Sequence, residues 1–107
     1  MMNLQKMMKQ VQKMQGDMAR VQEELKSLTV EGSAGGGAVK VEANGAQQIQ
    51  KITISPEVVD PGDVVMLEDL VLAAINEALR RSTELAQSEM AKVTGGMNLN
   101  LPGMPSF

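Results

Sequence analysis

Apolar residues open the chain at Leu4, Met7, Val11, Met14, Met18, Val21, Leu25 and Leu28. The steps alternate between three and four without a break, the a/d heptad pattern of a helix that buries one narrow seam. Gln, Lys, Met and Glu fill most of the other positions and no Pro interrupts them. The poor helix former, Gly16, lies off the seam. The pattern predicts a helix over residues 3–28. Such a helix is about 40 Å long at 1.5 Å per residue. A compact domain of about 100 residues has a radius of gyration of only ~13 Å. The helix therefore overhangs its own domain, and part of its seam calls for a second chain. Met at three seam positions specifies register weakly, so that pairing should be soft and partly splayed. An amphipathic helix packed entirely on its own domain is the simpler alternative.

The period then changes. Val30 and Gly32 flank Glu31, Gly35-Gly36-Gly37 follows, and Val39, Val41 and Ala43 alternate with Lys40 and Glu42. Asn44-Gly45 is a short-range hairpin signal because both residues tolerate positive φ. Ile52 and Ile54 alternate with Lys51 and Thr53. Three antiparallel strands are predicted as a meander, over residues 29–34, 38–43 and 48–55, with one apolar face that needs a cover. Ser55-Pro56 and Asp60-Pro61-Gly62-Asp63 end the strands. Either Asp60 or Asp63 can cap the next helix, expected over residues 61–94. Its apolar side includes Leu67, Leu70, Val71, Ala74, Ile75, Ala78, Leu79 and Met90, and Gly95-Gly96 is a stop signal. One domain over residues 1–94 is expected, followed by a flexible Gly/Pro/Met tail over 95–107 whose Met and Leu residues could dock on a partner.

Composition removes most chemistry. The 107 residues include no Cys, His, Trp or Tyr. There is no disulfide framework, no thiolate or imidazole metal ligand, no cysteine nucleophile and no Ser-His-Asp triad. Gly32 and Gly37 match the spacing of a phosphate loop, but Ala38 and Val39 stand where Lys and Ser or Thr are required. The acids Glu57, Asp60, Asp63, Glu68 and Asp69 do not follow a calcium-loop spacing. The chain reads as a non-enzyme with no cofactor, metal or small-molecule substrate. No apolar run is long enough for a membrane span. The Gln- and Lys-rich start does not suit a secretory signal, and the lack of Cys fits a cytoplasmic protein.

Charge is unevenly distributed. The net charge is −3. Residues 1–28 carry five bases and three acids, residues 29–70 two bases and seven acids, and residues 71–107 three of each. With Leu4 at heptad position a, Lys6, Lys13 and Arg20 fall at c and Lys9 at the neighbouring f, one stripe away from the seam. This is either an ordinary solvated face or a phosphate-binding one. Arg80, Arg81 and Lys92 are the bases of the second helix.

Several blocks carry a resemblance. Met7-Met8-Lys9-Gln10-Val11-Gln12-Lys13-Met14-Gln15 leads into Val30-Glu31-Gly32-Ser33-Ala34-Gly35-Gly36-Gly37. Met66-Leu67-Glu68-Asp69-Leu70-Val71 is followed by Ala73-Ala74-Ile75-Asn76-Glu77-Ala78 and, at the end, by Met90-Ala91-Lys92-Val93-Thr94-Gly95-Gly96. Over roughly residues 4–105 the chain resembles the YbaB/EbfC family of bacterial nucleoid-associated proteins. The resemblance implies an α+β protomer of order α-β-β-β-α that forms a tweezer-like homodimer, with dimers that could stack further, located in the nucleoid. It implies double-stranded DNA as the partner, and a role in organising the chromosome or regulating expression. The candidate DNA-binding residues are Lys6, Lys9, Lys13 and Arg20, with Arg80, Arg81 and Lys92 as weaker ones. The candidate dimer interface is Leu4, Met7, Val11, Met14, Met18 and Val21 on the first helix and Leu67, Val71, Ala74, Ile75 and Ala78 on the second. Gln47-Gln48-Ile49-Gln50 departs from the charged residues common in relatives, which leaves the sheet less basic. An interaction scaffold without DNA binding is the competing expectation, favoured by the acidic balance and the Met-rich seam.

Overall fold

The computed structural model describes residues 3–94. Helix α1 spans Leu4–Leu25, strands β1, β2 and β3 span Thr29–Ala34, Val39–Asn44 and Ile49–Ile54, and helix α2 spans Val64–Thr94. A single 3₁₀ turn, Pro56–Val58, separates β3 from α2. The order is the expected α-β-β-β-α. The expected tail, 95–107, lies outside the described residues.

Helix α1 begins where Asn3 accepts a hydrogen bond from the Gln5 amide at 3.0 Å. It stops three residues before the predicted end because another part of the chain takes its carbonyls. The Gly45 amide donates to the Leu25 carbonyl at 2.8 Å and to that of Leu28 at 3.0 Å. Helix C-termini leave such carbonyls without partners, and here the β2–β3 turn satisfies them. Leu28 therefore leaves the helix. α2 likewise begins at Val64 rather than 61. Asp60 folds its carboxylate back onto the Gly62 amide, and Asp63 is the cap, accepting from the Met66 amide at 3.2 Å.

The sheet has the order β1-β2-β3, antiparallel throughout, with a bulge at Glu42/Ala43. Gly35, Gly36 and Gly37 all take positive φ in the first turn. The second turn differs from the Asn-Gly expectation, since the left-handed residue is Gln47, at φ 62°. Asn44 organises that turn with its side chain. Its Oδ1 accepts from the Ala46 and Gln48 amides, and its Nδ2 donates to the Lys26 carbonyl. Gly45 is required for closeness instead, because a Cβ there would lie 2.6 Å from Leu25 Cδ2.

Helix α2 crosses β1 and β2. A Cβ on Gly32 would lie 2.3 Å from the Ala78 nitrogen and 2.5 Å from the Ala74 oxygen, so helix backbone rests directly on strand backbone. Val39, Val41, Ala43, Ala74 and Ala78 form the fully buried core. Ala74 and Ala78 were expected at a dimer interface. They are enclosed within their own protomer and offer no surface to a second copy. The same holds for Val21, which is buried with Leu25.

One helix, about 10 Å wide, covers roughly two strands spaced 4.7–4.9 Å apart. The third is left open. Ile54 and Ile52 pair with Val39 and Val41 and share their face, yet they are 37% and 46% exposed.

Candidate nucleic-acid interface

Topology sets the arm direction. Strand β1 runs from Thr29 to Ala34. Along α2, Leu70 lies against Gly35, Ala74 and Ala78 over Gly32, and Arg81 donates to the Glu31 carbonyl. α2 is therefore antiparallel to β1 and leaves the sheet near Ser82, whose hydroxyl donates to the Asn44 carbonyl at 2.7 Å. Helix α1 ends at the same place. A cleft there is lined by Gln22, Leu25, Lys26, Thr83, Ala86 and Gln87. Beyond it the two helices run antiparallel, α2 for residues 83–94 and α1 back to Leu4. The molecule measures 72 × 28 × 16 Å, and its radius of gyration is 19.8 Å. A compact chain of this length would have about 13 Å. Helix α1 is thus an arm, as its length implied. Its seam has two parts. Met14 and Met18 are half-buried and Val21 and Leu25 buried, whereas Leu4, Met7 and Val11 are exposed.

The basic stripe lies on the outer face of this arm. At 100° per residue Lys6, Lys9, Lys13 and Arg20 fall within about 60° of one another. All four are exposed. Among the described residues Lys6, Lys9 and Lys13 have no salt-bridge partner. Arg20 has two, Asp17 at 3.4 Å and Glu24 at 3.7 Å. These exposed pairs are weak and separable.

The bases of α2 are differently placed. Arg80 binds Glu77 at 2.8 Å and also Glu84. Arg81 binds Glu77 at 2.8 Å and ties α2 to β1 through the Glu31 carbonyl at 3.0 Å. Lys92 binds Glu89 at 2.9 Å. The hydrogen bonds from Arg80, then those from Arg81, hold the Glu77 carboxyl below its ordinary range, and Glu77 in turn raises Arg80. The structure thus brings Lys6, Lys9, Lys13 and Arg20 together and leaves Arg80, Arg81 and Lys92 in local ion pairs.

Three exposed cations were not among the candidates: Lys26, which pairs with Glu23 at 3.3 Å, and Lys40 and Lys51. Lys40 and Lys51 share the outer sheet face with Glu31 and Glu42. Strand alternation marks them as outward residues, and the neighbouring carboxylates leave that face mixed in sign. The acids Glu57, Asp60, Asp63, Glu68 and Asp69 lie around the start of α2, at the opposite end from the arm. Along the helices the start of α2 is about 45 Å from Lys13, and Asp69 about 38 Å, at 1.5 Å per residue. The Debye length is ≈ 8 Å at physiological ionic strength, so the acidic end does not cancel the arm's field. No described helix is long and apolar enough to cross a membrane, and no described carboxylate cluster could hold a metal ion.

The sequence profile of the YbaB/EbfC DNA-binding family matches residues 1–97. A nucleoid-associated protein of Desulforamulus reducens is 62% identical over 102 residues, covering 95% of each chain. Another, from Acetivibrio thermocellus, is 60% identical over 102 residues, covering 95% of this chain and 89% of the relative. An uncharacterized protein of Helicobacter pylori, known from a crystal structure, shares the fold with a TM-score of 0.62 at 19% identity, over 73% of this chain and 90% of its own. The chain, with its α-β-β-β-α fold and projecting basic arm, belongs to the YbaB/EbfC family, a family of DNA-binding nucleoid-associated proteins rather than of enzymes.

Proposed function

We propose that the protein binds double-stranded DNA as a homodimer, chiefly through phosphate contacts from the outer stripe of α1, and so helps organise the chromosome or regulate expression. The observation that carries this reading is the stripe Lys6, Lys9 and Lys13, exposed and without ion pairs among the described residues, on an arm that leaves the acidic body behind. Long lysine side chains on a helix face suit the phosphate backbone, which supplies most sequence-independent affinity. The chain has no Trp or Tyr and a single Phe, so base stacking contributes little. Arg20 joins the stripe by exchanging a carboxylate for a phosphate. Arg80, Arg81 and Lys92 would have to break ion pairs first and play a secondary part.

Dimerisation is supported by the open side of the sheet. Ile49, Ile52 and Ile54 are 38%, 46% and 37% exposed. Leu70 and Arg81 lie toward β1, so the opposite flank of α2, with Val71, Ile75 and Leu79, faces β3. With the half-buried Leu67, this flank and β3 form one apolar surface. Its β3 edge has no neighbouring strand among the described residues. Contiguous apolar surface of this kind marks an interaction site. A second copy seated there holds the two arms in a fixed relation and doubles the basic stripe. Nucleoid location follows from the DNA partner.

A duplex-DNA titration at physiological salt, run beside sedimentation analysis, tests the reading. A dimer that binds DNA better than an unrelated acidic protein is expected. A monomeric, non-binding chain would favour the scaffold alternative. Ile52→Lys should weaken the dimer, because it places a charge on the surface to be buried.

A further inference from the structure

Past Ser82, helix α2 continues for residues 83–94, about 18 Å at 1.5 Å per residue. From Leu25 back to Leu4 helix α1 measures about 32 Å on the same scale. The last ~13 Å of the arm therefore has no α2 beside it. Met14, where the cover runs out, is half-buried, and Leu4, Met7, Met8 and Val11 are 70%, 41%, 57% and 55% exposed. With Gln12 these four line a shallow apolar groove.

The period and the borders of this stripe define what fits it. The alternating steps of three and four run on through Leu4, Met7 and Val11 although α2 no longer lies opposite, and that spacing suits another helix. At 100° per residue the exposed Lys6, Lys9 and Lys13 point to the far side of the arm. The borders are Asn3 and Gln10 on one side and Gln5 and Gln12 on the other, none of them charged. Coiled-coil borders usually carry the charges that choose between partners. Uncharged borders let two identical arms meet without like-charge repulsion while their lysines stay turned outward. In an antiparallel pair Leu4 meets Met14, Met7 meets Val11, and the same contacts recur in reverse, over about 15 Å. The overlap stops there because the seam beyond Met14 is already covered by α2. Such a contact is isologous and closes on itself.

We propose that the arm tip is a second interface between copies of this chain. Leu4, Met7 and Val11 of one arm pair antiparallel with Met14, Val11 and Met7 of an arm from another dimer. The linkage rests on the dimer and the DNA contact proposed above. A few side chains per arm fall far short of the about 20–30 residues a side of a stable interface, so the contact is weak between free dimers. Dimers side by side on one duplex hold their arms at a raised effective concentration, and there the pairing becomes favourable. Binding is then cooperative along the duplex.

The test uses the full chain, which has no Cys, so Met8→Cys supplies one thiol per arm. An overlap of Leu4 with Met14 puts the two-fold axis beside residue 9, where the two residue-8 side chains meet. Mild oxidation at high protein concentration should give a disulfide that raises the sedimenting mass to twice the dimer's or higher multiples. A long duplex should increase the yield several-fold. Gly16→Cys, off the seam, should not cross-link. Adding Met7→Gln and Val11→Gln should abolish the disulfide. Without the Cys, the same pair should remove the steepness of binding to a long duplex and leave affinity for a duplex that holds one dimer unchanged. No disulfide from Met8→Cys, or one that leaves the mass unchanged and so joins two arms of one dimer, would overturn the proposal. So would equal cross-linking through Gly16→Cys, or wild-type binding to a long duplex without cooperativity. A chain that cross-links between dimers yet binds no duplex would refute the DNA contact alone and support the tip contact.

Discussion

Replacing Gly32 by Ala tests the geometry that fixes α2, and with it the direction of the arm. The added Cβ would lie 2.3 Å from the Ala78 nitrogen, 2.5 Å from the Ala74 oxygen and 2.8 Å from the Ala78 Cα. Non-bonded carbon contacts are most favourable near 3.5–4.0 Å, so α2 must lift by on the order of 1 Å. The obstructing atoms are helix backbone and cannot rotate away. Overpacking typically costs 1–3 kcal/mol, and a backbone clash belongs at the top of that range, about 3 kcal/mol. With a urea m-value of about 2 kcal/mol/M, the unfolding midpoint should fall by roughly 1.5 M. The chain lacks Trp and Tyr, so far-UV circular dichroism is the suitable probe. Wild type and variant must be compared at equal protein concentration, because the stability of the proposed dimer would depend on it. Gly36→Ala is the control, with positive φ but nothing within 4 Å of the added Cβ. It should cost only about 1–2 kcal/mol of left-handed strain. A Gly32→Ala midpoint equal to wild type would mean that α2 does not rest on β1 as described.

Gly16→Ala, on an exposed part of α1 with nothing within 4 Å, should stabilise the arm by about 0.5–1 kcal/mol, seen as raised helicity and midpoint. Ser82→Ala removes the buried hydroxyl that donates to the Asn44 carbonyl and accepts from the Gln47 amide, so thermal unfolding should show a loss of about 1–3 kcal/mol. Glu77 should titrate below its ordinary range when followed by carboxyl NMR, because Arg80 and Arg81 bind its charged form. Its contribution to stability is then full above the unfolded-state value and is lost as pH falls through the depressed folded-state value, so Glu77→Gln should flatten the acid limb of the stability profile. An ordinary titration midpoint would show that the ion pairs do not persist in solution.

The elements were largely legible because each has its own period. Alternating steps of three and four marked α1, and alternation marked the strands. What stayed hidden depends on partners distant in sequence. Leu28 continues the heptad of α1, yet the Gly45 amide takes its carbonyl. Asn44-Gly45 suggested that these two residues would take the positive φ of the hairpin turn, but Asn44 is spent as a side-chain hub and Gly45 on room for Leu25, so Gln47 takes it. A heptad says that a seam is buried without saying by whose helix. Here Val21 is covered within its own chain while Leu4, Met7 and Val11 stay open. Ala74 and Ala78 were expected at a dimer interface, yet what approaches them is Gly32 of their own chain. At the candidate interface the lysine stripe followed directly from spacing. The pairing of Arg80 and Arg81 with Glu77 also lies at readable helix spacing, but the bond from Arg81 to the Glu31 carbonyl did not show until β1 was laid beneath α2.

The salt dependence of duplex-DNA binding tests the central claim most directly. In the proposed homodimer Lys6, Lys9 and Lys13 would give six phosphate contacts, and log K against log[salt] should then fall with a slope of about −5, or about −7 if both Arg20 side chains join. Changing all three lysines to Gln should flatten the slope by about 5 while sedimentation still shows a dimer. A triple variant that remains dimeric and keeps the wild-type slope would contradict the assignment of DNA binding to the arm.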